Sequence, residues 1–170
     1  MKTLRTPSIV LAALCLGFLI YLVCSTSLLP ERIAIHFGAS GQPNGWMIRS
    51  TYLVFMGAFG MGLPLISVVI ALVVRLVPAR FINLPNHDYW LSPERQSQTC
   101  MYISRQLLWL ACLEVVFFAG IQFLIVEANR MAPVQLPMEM FLSLIGCFLV
   151  AVALWIIVFI RHFVKAAEEK

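Results

Sequence analysis

The chain has 170 residues, of which 61% are hydrophobic and only 12% charged, with a formal net charge of +4. Soluble domains carry roughly a quarter charged residues, so a water-soluble fold of this length could not cover so much apolar surface. The 12 basic residues are dispersed at the ends of apolar runs and form no nucleic-acid-binding patch.

In chain order, Lys2 and Arg5 precede an apolar run over residues 8–29. That run is longer than the roughly 7 to 15 residues of a signal-peptide core and no small-x-small site follows it, so a retained first span is predicted. Three further runs, residues 51–74, 107–126 and 138–160, each have the length needed to cross a hydrocarbon core about 30 Å thick. Backbone polar groups in lipid must be satisfied within the segment, so all four are expected to be helices. Of the five cysteines, Cys15, Cys24, Cys112 and Cys147 lie inside apolar runs and Cys100 outside them, with no C-x-x-C pair. Neither structural disulfides nor a metal cluster is expected from that pattern.

Residues 29–46 join the first two spans and are much longer than a connection requires. Alternation over residues 32–37 reads as a short extended strand, and Gly41, Pro43, Asn44 and Gly45 read as a turn. Ile33, Ile35, Phe37 and Trp46 argue against disorder, so an ordered cap over the helix ends is predicted. His36 is either a ligand-binding or pH-sensing group or a hydrogen-bonded structural histidine. Trp46 is either an interfacial anchor or a ligand platform.

Within the second span, Gly57, Gly60 and Gly62 lead to Pro64, which removes the hydrogen bond to Gly60. This reads either as a hinge or cavity wall, or as close packing of kinked spans. Residues 83–95 follow, with Asn86, Asp88, Tyr89 and Trp90 as candidate partner-binding residues or, for the two aromatics, an interfacial belt. His87 beside Asp88 resembles an acid–base pair, but neighbours in an extended loop point apart and no nucleophile completes a triad. Ser92, Pro93 and Glu94 form a helix-start pattern, so the third helix is predicted to begin near residue 93 and project from the bilayer.

Glu114 falls well inside the third span, where an uncompensated carboxylate is costly and is expected to face the bundle interior. Gln122 lies about 80° further around the helix and could share that polar side. The pair reads either as proton or ion handling or as structural hydrogen bonding.

Nine basic residues (Lys2, Arg5, Arg75, Arg80, Arg95, Arg105, Arg161, Lys165 and Lys170) fall on one side of these spans and three (Arg32, Arg49 and Arg130) on the other. Positive residues are retained in the cytoplasm, so both termini are expected inside and the 29–46 loop outside. The predicted fold is all-α: one membrane domain over residues 1–170, a four-helix transmembrane bundle with an ordered extracytoplasmic loop.

The ordered set Leu29-Pro30, Ile33, Ile35-His36-Phe37, Gly41, Pro43, Gly45 and Trp46 resembles the uncharacterised domain shared by bacterial multi-span proteins, including SdpI-type toxin-immunity proteins. Residues 83–95 and Glu127-Ala128-Asn129 are similar to its compact four-span members. The family has no assigned activity, but its immunity members bind or neutralise a toxin and can hold a repressor at the membrane. The resemblance thus implies a multi-pass protein of the bacterial plasma membrane with a binding or signalling role.

No nucleophile–base pair and no ligand cluster is visible on one side of the bilayer, so a non-enzymatic protein without catalytic residues, cofactor or metal is expected. Its partners are the lipid bilayer and another membrane or cytoplasmic regulatory protein, with no nucleic acid. The candidate ligand-binding residues are His36, Phe37, Gly41, Pro43, Gly45 and Trp46, with a small transport or ion-handling subunit built on Glu114 as the alternative.

Overall fold

The computed structural model describes residues 2–165. Lys170, one of the residues weighed for orientation, lies outside the described residues. The elements are α1 (Lys2–Ser27), β1 (Arg32–Phe37), β2 (Pro43–Ile48), α2 (Arg49–Val73), a 3-10 turn (Ala79–Phe81), the single-turn α3 (His87–Trp90), α4 (Gln96–Arg130) and α5 (Met138–Lys165). Four helices, α1, α2, α4 and α5, are long and apolar enough to cross a membrane, as expected. The all-α expectation needs one correction, because the loop between α1 and α2 closes as a two-stranded antiparallel hairpin.

On α2 the buried residues Tyr52, Met56, Gly60, Pro64, Ser67 and Ala71 recur every three or four positions and form one stripe. The opposite face, with Val54, Phe59, Leu65, Ile66 and Leu72, is exposed and just as apolar. A face of that kind is unstable in water and is what lipid demands. Pro64 sits on the packed stripe, and a Cβ at Gly60 would lie 2.5 Å from the Phe18 ring, so small residues let α2 approach α1 closely.

The 35-residue α4 is the central mast, packing against α1, α2 and α5 and reaching β1 at its C-terminal end. It begins at Gln96, later than predicted. The amides of Arg95 and Gln96 both bond to the Ser92 carbonyl, at 3.0 and 2.9 Å, and this tight turn delays the regular helix. Nor does its start project freely: in its second turn Cys100 and Ile103 are buried with Ile82, Leu91 and Phe163 where the α2–α4 connection folds back on α5.

Polar side chains lie inside this bundle, joining helices that apolar packing alone would not orient in lipid. Ser104 Oγ donates to the Ala71 carbonyl on α2 at 2.6 Å, and Trp155 Nε1 on α5 donates to the Gln106 carbonyl at 3.1 Å. At the base of the hairpin the Arg49 guanidinium donates to the carbonyls of Ser27 and Leu29 at 3.3 and 2.9 Å. Those bonds satisfy acceptors left open where α1 ends.

The hairpin is pinned to α4 by Asn129. Its Oδ1 accepts from the Ala34 amide at 2.8 Å, and its Nδ2 donates to the Ala34 carbonyl at 2.9 Å and the Ile125 carbonyl at 2.8 Å. Ala34 is fully buried, so Asn129→Ala orphans both of its backbone groups, at about 1 to 3 kcal/mol each. Amide hydrogen exchange in detergent is expected to rise at Ala34 by more than about tenfold in that variant. Unchanged protection there would mean that packing alone holds the hairpin.

Candidate functional site

The register pairs Arg32 with Ile48, Ile33 with Met47, Ala34 with Trp46, His36 with Gly45 and Phe37 with Pro43, with irregularities on either side of His36. The turn therefore occupies residues 38–42, and Pro43, Asn44 and Gly45 begin β2 instead of forming the predicted turn. Proline is tolerated as the first residue of an edge strand because no ladder donor is required of it. Gly45 is demanded by its partner, since a Cβ there would lie 2.8 Å from the His36 Cβ.

Gly41 is buried with φ +79, a left-handed conformation that favours glycine. Its carbonyl accepts from the Leu136 amide at 2.9 Å, so the tip of the hairpin is zipped to the α4–α5 connection. Phe37 is half-buried against Leu124, Ala128 and Leu136. His36 is exposed, with Nδ1 hydrogen-bonded to Asn44 Oδ1 across the turn.

Between the hairpin and the adjoining ends of α4 and α5 runs a groove of about 390 Å³. Its walls are Ile35 and Phe37 from β1, Ile121, Leu124 and Ile125 from α4, and Met138 and Phe141 from α5, with His36 at the lip. That volume falls within the range of small-ligand pockets. Trp46 is exposed on β2 and does not line the groove. Two of the three arginines at this end are offset by carboxylates: Arg49 pairs with Glu31 at 3.6 Å and Arg130 with Glu127 at 3.5 Å. The groove can hold an apolar segment by burial, with one imidazole to select for a polar group beside it.

The other candidate residues lie elsewhere. Asn86 Nδ2 and Trp90 Nε1 both donate to the Phe163 carbonyl, at 3.0 and 2.9 Å, satisfying an acceptor in the last turn of α5. Tyr89 lies beneath the Arg95 guanidinium, 3.9 Å from ring centroid to Cζ. His87 and Asp88 do not point apart as expected, because α3 is a helical turn there. His87 Nδ1 meets Asp88 Oδ1 at 3.0 Å and its Nε2 meets the Ala79 carbonyl at 3.2 Å.

Glu114 and Gln122 are both buried but do not share partners. Ser67 Oγ lies 3.0 Å from each Glu114 carboxyl oxygen. Gln122 Oε1 instead accepts from the Tyr52 hydroxyl at 2.5 Å, and its Nε2 donates to Ser25 and Thr26 on α1 at 2.9 and 3.2 Å. Eight residues of helical rise, about 12 Å, separate the two sites. Sequence reasoning missed the groove walls on α4 and α5 and the role of Asn129; the one available signal was an amide side chain closing an apolar span.

Comparisons with known proteins find uncharacterised relatives. Residues 13–61 match the family described as Domain of unknown function (DUF1648), a stretch that takes in most of α1, the hairpin and the first half of α2. The chain is 27% identical over 142 residues to an uncharacterized protein of Archaeoglobus fulgidus, covering 81% of this chain and 75% of that protein. That relative is archaeal. No solved structure matches the chain.

Two tests follow from this geometry. Gly41→Ala is expected to lower the melting temperature more than Gly38→Ala does. It adds roughly 1 to 2 kcal/mol of left-handed strain and sets a Cβ 2.8 Å from the Leu136 carbonyl, whereas a Cβ at Gly38 meets Asn44 Nδ2 at an ordinary 3.7 Å. Equal shifts would show that the Leu136 contact is not tight.

For His87, the hydrogen bond to Asp88 first, and then the Ala79 carbonyl, raise the imidazole above its ordinary value of 6.5. The protonated ring's contribution is thus complete below that value and disappears as pH climbs through the raised one. Histidine NMR titration of Asp88→Asn should move the midpoint down; an unmoved midpoint would remove Asp88 as the main cause.

Proposed function

We propose a non-enzymatic multi-pass protein that binds an extracytoplasmic apolar ligand, such as a segment of a membrane-active peptide, beneath the hairpin; the match of residues 13–61 to an uncharacterised domain and four helices long and apolar enough to cross a membrane support this reading. The observation that carries this reading is the groove itself: apolar walls from three elements, a single imidazole at its lip, and a hairpin pinned above it by Asn129. The nine-to-three distribution of basic residues supports placing the hairpin outside a plasma membrane and both termini in the cytoplasm. Occupancy would reach a cytoplasmic partner through α4, which runs unbroken between the two ends of the bundle.

The test is a photo-crosslinking amino acid at Ala39, beside the groove, in native membranes. An adduct of defined mass is expected, lost when Ile121→Trp fills the groove, weakened several-fold by His36→Ala and retained in Trp46→Ala. An adduct indifferent to Ile121→Trp would end the proposal, provided the variant reaches the membrane at the parental level.

A second reading, ion or proton handling, is supported by Glu114, a buried carboxyl whose hydrogen-bond partner is Ser67 and which has no cation within ion-pair distance among the described residues. Glu114→Gln keeps a hydrogen-bonding group of the same shape, so the fold is expected to survive. Under this reading pH-driven flux in proteoliposomes falls to background in that variant, and undiminished flux eliminates it.

A further inference from the structure

At the end of the bundle opposite the hairpin, a groove of about 610 Å³ lies between the end of α2 and the start of α4. Its lining is graded. Arg75, Gln96 and Ser97 form a polar part with Pro93, and Leu72, Leu76, Cys100 and Met101 form an apolar part. Leu72 and Leu76 are exposed, so the apolar part opens on the lipid-facing side of the bundle.

Arg75 is the arginine in that lining. Among the described residues, six arginines gather at this end (Arg5, Arg75, Arg80, Arg95, Arg105 and Arg161) against two carboxylates, Asp88 and Glu94. Arg80, Arg95 and Arg105 lie over the rings of Phe81, Tyr89 and Tyr102, at 4.8, 3.9 and 5.4 Å. Arg5, Arg75 and Arg161 have no such ring contact, ion pair or hydrogen bond among the described residues, and of these three Arg75 lines the groove.

Depth completes the argument. The 25 residues of α2 rise about 37 Å against a hydrocarbon core of about 30 Å, which sets Arg75, two positions beyond its end, at headgroup level. A cation at that level above an apolar trough matches an amphiphile with an anionic head.

We propose that this groove binds an anionic glycerophospholipid, its phosphate against Arg75 and an acyl chain along Leu72 and Met101. A soluble phosphate would leave the apolar trough unfilled. A zwitterionic lipid would gain less from Arg75, since its own ammonium offsets the phosphate charge.

The experiment is native mass spectrometry of the full chain in detergent micelles, titrated with phosphatidylglycerol or with phosphatidylcholine of the same acyl chains. One retained phosphatidylglycerol is expected, with affinity reduced about fivefold or more by Arg75→Gln, the effect of one basic residue at an anionic surface. Ser97→Trp, which fills the groove without changing charge, should weaken it as well, and Arg161→Gln, outside the groove, should not. Equal retention of phosphatidylcholine overturns the proposal, as does an equal loss in Arg161→Gln, which would reveal only diffuse surface attraction. Displacement by soluble glycerol phosphate also overturns it, because the occupant is then a free anion. Should Arg75→Gln fail to fold, Ser97→Trp and the two competitions still decide.

Discussion

A two-stranded hairpin is marginal by itself, and this one stands because a side-chain amide completes it. Asn129 presents one acceptor and one donor to the buried backbone of Ala34, as a neighbouring strand would, but from the last turn of a helix. With Gly41 zipped to Leu136 and Arg49 bridging the end of α1, the hairpin is held at its middle, tip and base. The groove is a consequence of these attachments. Ile35 and Phe37 face Ile121, Leu124 and Ile125 only while β1 is drawn against α4.

The rest of the molecule follows from lipid as solvent. Where the surroundings are as apolar as leucine, burial of apolar area no longer chooses which helix faces meet, and polar contacts and close approach take over. Along α4 the joints follow in order: Ser104 to Ala71, Gln106 to Trp155, Glu114 to Ser67, Gln122 to Tyr52, Ser25 and Thr26, and Asn129 to Ala34. Most bind α4 to α1, α2 or the hairpin. The α5 helix receives one of these joints, through Trp155, and is tied at its far end by Asn86 and Trp90 on the Phe163 carbonyl. In side-chain hydrogen bonds to α4 it is the least tied wall of the groove.

The four spans are legible in the sequence because bilayer thickness imposes a length that composition reveals. The β1 strand at Arg32–Phe37 is legible too, through its alternation. The β2 strand is not: Pro43, Asn44 and Gly45 are turn formers by type, and they enter the ladder because an irregularity at His36 requires glycine opposite. The groove walls are hidden for a different reason. Spans that are apolar all round carry little record of which face meets a neighbour, so Ile121 and Leu124 look no different from residues that meet lipid. Asn129 stands out by type, but its partner is the backbone of Ala34, which has no side-chain signature. The covered start of α4 was equally unreadable, since it depends on Phe163 arriving from the far end of the chain.

The arrangement of joints also constrains how the two ends can communicate. Under the proposed reading, a ligand beneath the hairpin would touch α4 and α5 together, and it could shift only an equilibrium between states that differ in the affinity of that groove. The α4 helix is hydrogen-bonded to α1, α2 and the hairpin, whereas α5 meets it mainly through stacked rings, Tyr102 on His162 and Phe117 on Phe148. Helices transmit tilt over their length, so displacement at Met138 and Phe141 bears on the contact of Phe163 with Asn86 and Trp90. That contact holds the 83–95 segment against the bundle and, through it, the cluster of Ile82, Leu91 and Ile103 that covers the start of α4. The α5 helix therefore runs from the groove walls at Met138 and Phe141 to the Phe163 contact at the opposite end, a second physical path alongside α4.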